Sequence, residues 1–371
     1  MRSKSDNDRG KRGESPIKRA IAIILKIITI AMGFALLLTL IAPYVAPQSL
    51  GLLPTLALVA PATFVVNLLF MLYWFSTWEW RYGVVLLLIL GCCIGRVSLF
   101  MKYSPTQEYQ KPNYRGATKV MSYNVRTLKD DDGESVSKRV CEYLDESGCD
   151  IICLQEFYGT NSRKVERYMP KVAKYNLAQK WDLRIYTRYP IVDRGDIFEK
   201  YGFESGHAIW ADVVVSPDTL RVVAAHLQST SIKVSDSDYL TSSKVMTDNN
   251  SYRKVLNIVR RYQLSCIARA EQARALAAFV GESPYPIVVT GDFNDTPASY
   301  AYNTVSRGMS DSFRECGNGY SYTFRGFFNM LRIDYILTGD RVTPLSYSVD
   351  KQMNVSDHLP VTSHVKIEKR K

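Results

Sequence analysis

Ile287-Val288-Val289-Thr290-Gly291-Asp292-Phe293-Asn294 is the stretch on which the reading of this chain turns. The apolar, β-branched run predicts a buried strand, and Gly291 ends it. Asp292 and Asn294 then follow at alternate positions, so an extended backbone carries both side chains off the strand end on one face. A carboxylate and an amide held together there suit a water, a metal ion or a phosphate. Gly, Asp and Asn are equally the residues of a surface turn. The segment therefore has to be weighed with the rest of the chain.

Other apolar runs also stop at polar residues. Asn124 follows Val120-Met121-Ser122-Tyr123, and Gln155-Glu156 follow Ile151-Ile152-Cys153-Leu154. His226 ends Arg221-Val222-Val223-Ala224-Ala225, while Asp334 lies inside Arg332-Ile333-Asp334-Tyr335-Ile336-Leu337. Asp357 and His358 sit in Val355-Ser356-Asp357-His358-Leu359-Pro360-Val361. Each has an ordinary explanation: Asn124 as a turn cap, Glu156 as a solvated loop residue, His226 as a satisfied strand-end imidazole. Asp334 is harder to dismiss, because a carboxylate within an apolar strand must be paired or ligand-bound to offset its burial. Pro360 argues against Ser-Asp-His opening a regular helix.

Taken in chain order, Ser122-Tyr123-Asn124-Val125, Leu154-Gln155-Glu156, Gly291-Asp292-Phe293-Asn294, Ile333-Asp334-Tyr335-Ile336 and Ser356-Asp357-His358-Leu359-Pro360-Val361 resemble the endonuclease/exonuclease/phosphatase superfamily. The resemblance runs over about residues 119–365. It implies an α/β four-layer sandwich, two packed mixed β-sheets with helices outside and a site at one end of the sheets. The implied chemistry is in-line attack of water on a phosphate ester, assisted by Mg²⁺ or Mn²⁺. Glu156 would be the principal metal ligand, with Asn124 beside it and Asp357 on the metal side. Asp292 would orient or deprotonate the water, and Asn294 would position water or phosphate. His358, partnered by Asp334, would contact the scissile phosphate. His226 would hydrogen-bond a phosphate oxygen or assist the leaving group. Elementary chemistry agrees with these roles: an anionic phosphodiester repels nucleophiles, so a divalent ion must neutralise developing charge. Oxygen-rich ligands with few nitrogens suit Mg²⁺ rather than zinc.

Two further residues are candidates for substrate binding. Arg188 lies in Tyr186-Thr187-Arg188-Tyr189-Pro190-Ile191, which looks like a stretch found in many superfamily members, and His207 precedes a strand in Ser205-Gly206-His207-Ala208. Departures from the family leave the substrate open. Arg126 stands where apurinic endonucleases carry an acidic residue, and no Tyr-x-Glu element like that of deoxyribonuclease I is found. The first reading is a membrane-anchored, divalent-metal-dependent phosphoester hydrolase, phosphodiesterase- or endonuclease-like, with nucleic acid or a phospholipid headgroup as its substrate class; the alternative is a lipid or inositol headgroup phosphatase or sphingomyelinase-like enzyme. A non-catalytic binding module is the reading from another class. Retention of Glu156, Asp292, Asn294, Asp334 and His358 argues against that module. No protein partner is expected.

Charge and hydropathy divide the 371 residues. No Asp, Glu, Lys or Arg occurs from Ile27 to Trp78. Residues 1–110 hold 11 Lys and Arg against 5 Asp and Glu, and the remainder 36 against 31. The net charge of +11 is therefore weak evidence for nucleic acid, since over half of it sits outside the near-balanced C-terminal part. The expected organisation is a basic cytoplasmic N-terminus (1–20), a membrane region (21–102), a linker (103–118) and a catalytic domain (119–371). Within the membrane region, spans are expected at about 21–42, 52–76 and 82–101, each near the ~20 residues a crossing needs. Positive-inside bias with three crossings makes the chain an integral protein of a plasma membrane, the bacterial inner membrane, with an extracytoplasmic catalytic domain. Two crossings would instead leave that domain in the cytoplasm. The seven cysteines show no zinc-like spacing; packing accounts for them, with a Cys141–Cys149 disulfide open. Strands are expected at 119–123, 151–155, 183–187, 208–215, 220–226, 287–290 and 333–337, helices at 135–147 and 266–280, and an exposed insertion at 229–251.

Overall fold

The computed structural model describes residues 15–103, 114–130, 132–158, 167–230, 239, 242, 244–247 and 250–369. Most of the basic N-terminus, the linker and the 229–251 insertion lie outside the described residues. The chain falls into two compact units, one of residues up to Ile41 with Val59–Gly95, the other of Ala42–Leu58 with Arg96–Lys371.

Helices α1 (Pro16–Ile41), α2 (Leu52–Leu58), α3 (Ala60–Ser76) and α4 (Trp80–Val97) make up the apolar region. Two of its helices are long and apolar enough to cross a membrane, or three spans result if α2 and α3 count as one. The expected span at 52–76 is thus broken at Val59. Pro61, in the first turn of α3, accounts for the break, since proline fits where a helix starts and lacks the N–H to continue one. Within the first unit, α1 and α3 are joined by polar contacts. Trp74 Nε1 donates to Thr29 Oγ1 at 2.9 Å, and Asn67 Nδ2 to the Met32 carbonyl at 3.0 Å.

The second unit begins with β1 (Met101–Lys102) and β2 (Thr118–Asn124), then α5 (Ser137–Glu146), β3 (Ile151–Gln155), β4 (Asn176–Lys180), β5 (Leu183–Thr187) and β6 (Ile191–Asp196). It continues through β7 (His207–Val215), β8 (Asp218–His226), α6 (Lys244–Thr247), α7 (Ser251–Gly281), β9 (Ile287–Asp292) and α8 (Tyr300–Val305). It ends with β10 (Ser310–Asp311), α9 (Ser312–Cys316), β11 (Gly319–Tyr320), β12 (Asp334–Thr338), β13 (Val342–Pro344), β14 (Ser348–Val349) and β15 (Val361–Ile367). One sheet has the order β10-β12-β9-β8-β7-β6, and the other β13-β15-β2-β3-β5-β4 with β14 on β15. Both are mixed, because β2 runs parallel to β3 and β8 parallel to β9 among antiparallel neighbours.

Strand alternation explains why the sheets stack. Val120, Ile151, Cys153 and Ile185 of one sheet meet Ile209, Ala211, Val222, Ala224, Val288 and Ile336 of the other in one buried cluster. The alternate residues Met121, Tyr123, Ile152 and Leu154 face outward onto Val140 and Leu144 of α5. On the far sheet the Arg221 guanidinium lies over Trp210 and over Phe279 of α7. Two mixed sheets with flanking helices are therefore the architecture.

One expected boundary needs correction, and two open points are resolved. Helix α7 starts at Ser251, well before Cys266, because its buried face there carries Ile258, Tyr262, Ser265, Cys266 and Arg269 rather than an aliphatic stripe. Cys141 and Cys149 are free, buried thiols, so no disulfide joins them. Residues 42–58 fold with the second unit: Asn303 Nδ2 donates to the Pro43 carbonyl at 3.0 Å, and Thr296 Oγ1 to the Ala57 carbonyl at 3.2 Å. Leu53 and Ala57 are fully buried.

Candidate functional site

The parallel pairs β2/β3 and β8/β9 end at the same edge of the sandwich. Asn124 is opposite Gln155 in one sheet, and His226 opposite Asp292 in the other. One amide spans the sheets. Asn124 Nδ2 donates to Glu156 Oε1 and to Asp292 Oδ2, both at 3.1 Å. Gly291 lets β9 approach closely enough: its φ is 142°, and a Cβ there would stand 1.9 Å from the Ala225 carbonyl oxygen. Glu156 and Asn294 leave their strands in the left-handed region, at φ 56° and 52°. Strain of this kind is held where surrounding structure fixes it.

Asp292 is buried, receives the Asn294 backbone N–H on Oδ1 at 2.7 Å and the Asn294 amide on Oδ2 at 3.2 Å. Burial pushes its carboxyl up to about 6, against the opposing pull of the His358 and His226 charges. On the next strand Asp334 holds His358, with Nδ1 to Oδ2 at 2.9 Å, and His358 Nε2 reaches to 3.6 Å from Asp292 Oδ2. Burial alone would depress the His358 imidazole, but the charges of Asp334 and Asp292 and the Asp334 hydrogen bond raise it well above its ordinary value. Asp292, Asp334 and His358 form the one group, among the described residues, whose carboxylate and imidazole atoms all lie within 4.8 Å of one another.

His226 is held from outside the sequence motifs. Its Nδ1 donates to Asp182 Oδ2 at 2.6 Å, and the other oxygen of Asp182 takes His207 Nδ1 at 2.5 Å. The fully buried Asp182 thus orients two imidazoles, and their bonds hold its carboxyl well below the usual range although burial opposes this. Burial pulls His226 down; the Asp182 hydrogen bond, then the charges of Asp292, Asp182 and Glu156, carry it up to about 9. His226 Nε2 is buried without a hydrogen-bond partner, 3.8 Å from Glu156 Oε1 and 3.9 Å from Asp292 Oδ2. A buried donor left open between two carboxylates is poised for an added oxygen.

The structure therefore gathers Asn124, Glu156, His226, Asp292, Asn294, Asp334 and His358, with His207 one imidazole further out. Asp357 lies at the margin, its Oδ2 3.5 Å from Arg126 Nε. Arg188 does not join them. Its backbone N–H bonds to the Asp150 carbonyl and its guanidinium to Asp150 Oδ1 at 3.2 Å and to Tyr175 Oη. Asp150 precedes β3 whereas Glu156 follows it, so Arg188 is about 20 Å away at the opposite end of the sheet. His364 is structural: Nδ1 pairs with Ser346 Oγ at 2.9 Å, and the ring stacks on Tyr114. The residue sequence reasoning missed is Asp182. It sits in a two-residue gap between strands with no apolar frame of its own, and only the Trp181-Asp182 dipeptide before Leu183 marks it.

The Endonuclease/Exonuclease/phosphatase family matches residues 121–358. A family described as a domain of unknown function (DUF8431) matches residues 22–100. No curated protein matches. Among solved structures, D. rerio TDP2 humanized by 14 mutations is 18% identical, covering 68% of this chain and 99% of that chain with a TM-score of 0.49. An endonuclease/exonuclease/phosphatase family protein from Bacteroides thetaiotaomicron is 18% identical over 70% of this chain and 100% of that one, TM-score 0.49. A mannosyl-6-phosphatase of the same organism is 18% identical over 67% and 99%, TM-score 0.48.

Proposed function

This chain belongs to the endonuclease/exonuclease/phosphatase family, whose members are metal-dependent phosphoesterases, and from that premise we propose that it is a membrane-anchored phosphoester hydrolase. The observation that carries the reading is the single amide of Asn124 bridging Glu156 and Asp292, which joins the two sheet ends into one acidic, partly closed site. The part-exposed carboxylate of Glu156 is a hard oxygen donor that fits Mg²⁺ or Mn²⁺ and would hold it, while Asn124, whose Nδ2 donates to Glu156 and Asp292, would orient the two carboxylates. When bound, such an ion neutralises charge on the phosphate oxygens.

The chain's own groups supply the rest. Asp292, fixed by the Asn294 N–H, accepts a proton from the attacking water in its carboxylate form. Asn294 is itself anchored by Nδ2 to the Leu227 carbonyl at 3.1 Å. His358, kept cationic by Asp334, and His226, kept cationic by Asp182, direct Nε2–H donors at phosphoryl oxygens. Both reach the same corner from opposite sides of Asp292.

Three spans, α1, the bent pair of α2 with α3, and α4, with the basic N-terminus inside by positive-inside bias, carry the catalytic domain to the extracytoplasmic side.

The test is turnover of bis-p-nitrophenyl phosphate, nucleic acid and phospholipid by the full chain, with Mg²⁺ and with EDTA. Folded protein that turns over none of them in Mg²⁺ would sink the hydrolase reading.

A further inference from the structure

Trp181 opens the two-residue turn between β4 and β5 with φ 56°, a position that such turns ordinarily give to Gly or Asn. Its side chain is 59% exposed, yet it is not loose. The indole Nε1–H donates to Asp196 Oδ2 at 3.1 Å, and the ring lies nearly parallel to the His207 imidazole, 5.3 Å between centroids at 11°. His207 is fixed in turn by Asp182, the carboxylate that also orients His226. Since His207 and His226 are cross-strand partners, this aromatic platform stands one imidazole away from the donor that faces the phosphate corner. Tyr158, half exposed, follows Phe157, whose backbone N–H bonds to the carbonyl of Asp182, the residue after Trp181 in the turn.

A bulky aromatic at a turn position suited to Gly, held by Asp196 and His207 with the Lys180 ammonium 5.8 Å from its ring centroid, and still 59% exposed beside the reacting centre, is unexplained by the hydrolysis chemistry itself. We propose that Trp181 and His207 form a subsite that stacks an aromatic ring carried by the leaving group of the phosphoester. The proposal rests on the hydrolase reading for the words "leaving group", while the stacking rests on the rim geometry alone. Asp182 then serves both halves of the site, aiming His226 at the phosphate and His207 at the ring's platform.

The experiment uses the full chain in detergent micelles with Mg²⁺ and measures calorimetric binding of phenylphosphonate, cyclohexylphosphonate and methylphosphonate. Phenylphosphonate is expected to bind about 10-fold more tightly than methylphosphonate, and more tightly than the cyclohexyl compound, which has the bulk without a π face. Trp181→Ala abolishes the phenyl preference and leaves methylphosphonate binding unchanged; Trp181→Tyr retains part of it. A wild-type protein with no preference for phenyl, or a Trp181→Ala variant that keeps it, overturns the subsite. These phosphonates need no turnover. Absence of hydrolysis with the preference intact therefore refutes the enzyme reading and leaves the subsite standing.

Discussion

Replacing Asp182 by Asn tests how His226 is held. The side chain keeps its shape but loses its charge, and it can no longer accept from two imidazoles at once. The Asn oxygen accepts from one Nδ1–H, while its NH₂ faces the other Nδ1 and demands the opposite tautomer. His226 stands at about 9 in the native protein against an ordinary value of 6.5, and the Asp182 hydrogen bond is the largest contribution raising it. Were the whole elevation lost, the cationic fraction at about pH 8 would fall from roughly 90% to about 3%, a roughly 30-fold effect. Asp292 and Glu156 remain nearby to favour the cation while burial opposes it, so about 30-fold is the scale of the effect. The assay is kcat/KM for bis-p-nitrophenyl phosphate across the pH range, beside a thermal melt. The alkaline limb, near 9 in the wild type where His226 deprotonates, should move toward neutrality in Asp182→Asn. A variant with normal melting and an unmoved alkaline limb would refute the claim that Asp182 keeps His226 charged.

On the acid side, Asp292 must be a carboxylate to accept the water's proton. Its elevated value puts the acid limb of kcat/KM at about 6, with activity falling as pH drops through it; a limb near the ordinary carboxylate value of ~4 would count against Asp292 as the base. Gly291→Ala places a Cβ against the Ala225 carbonyl in a backbone region closed to alanine, so strain and overpacking should together cost about 2–6 kcal/mol, read as a large drop in melting temperature. Arg188→Ala should leave kcat/KM within about twofold and stability within ~1 kcal/mol, since its ion pair is half exposed and lies at the far sheet end. A large loss of activity in that variant would contradict the placement of Arg188.

What the sequence determined by itself was local. Strands at 151–155 and 183–187 are legible to the residue, because β-branched runs bounded by polar residues specify a buried extended segment without reference to anything else. Asn124, Glu156, His226 and Asp292 were legible for the same reason, each closing its own run, while Asp334 stood out as a carboxylate inside an apolar one. Helix α7 was half read: its basic residues at 253, 254, 260 and 261 obscured a buried face built from Tyr, Ser, Cys and Arg. Tertiary structure alone decided which candidates meet. Asn124 and Asp292 are 168 residues apart, and Asp182 is 25 and 44 residues from the histidines it joins. Strand register sent Arg188 to the wrong end of the sheet and brought Asp182 to the right one. Gly-Asp-Phe-Asn shows the division. Its hydrophobic pattern made the strand, which is a property of neighbours along the chain. Its role needed Ala225, Asn124 and His226 brought across two sheets, and only long-range packing fixes those distances.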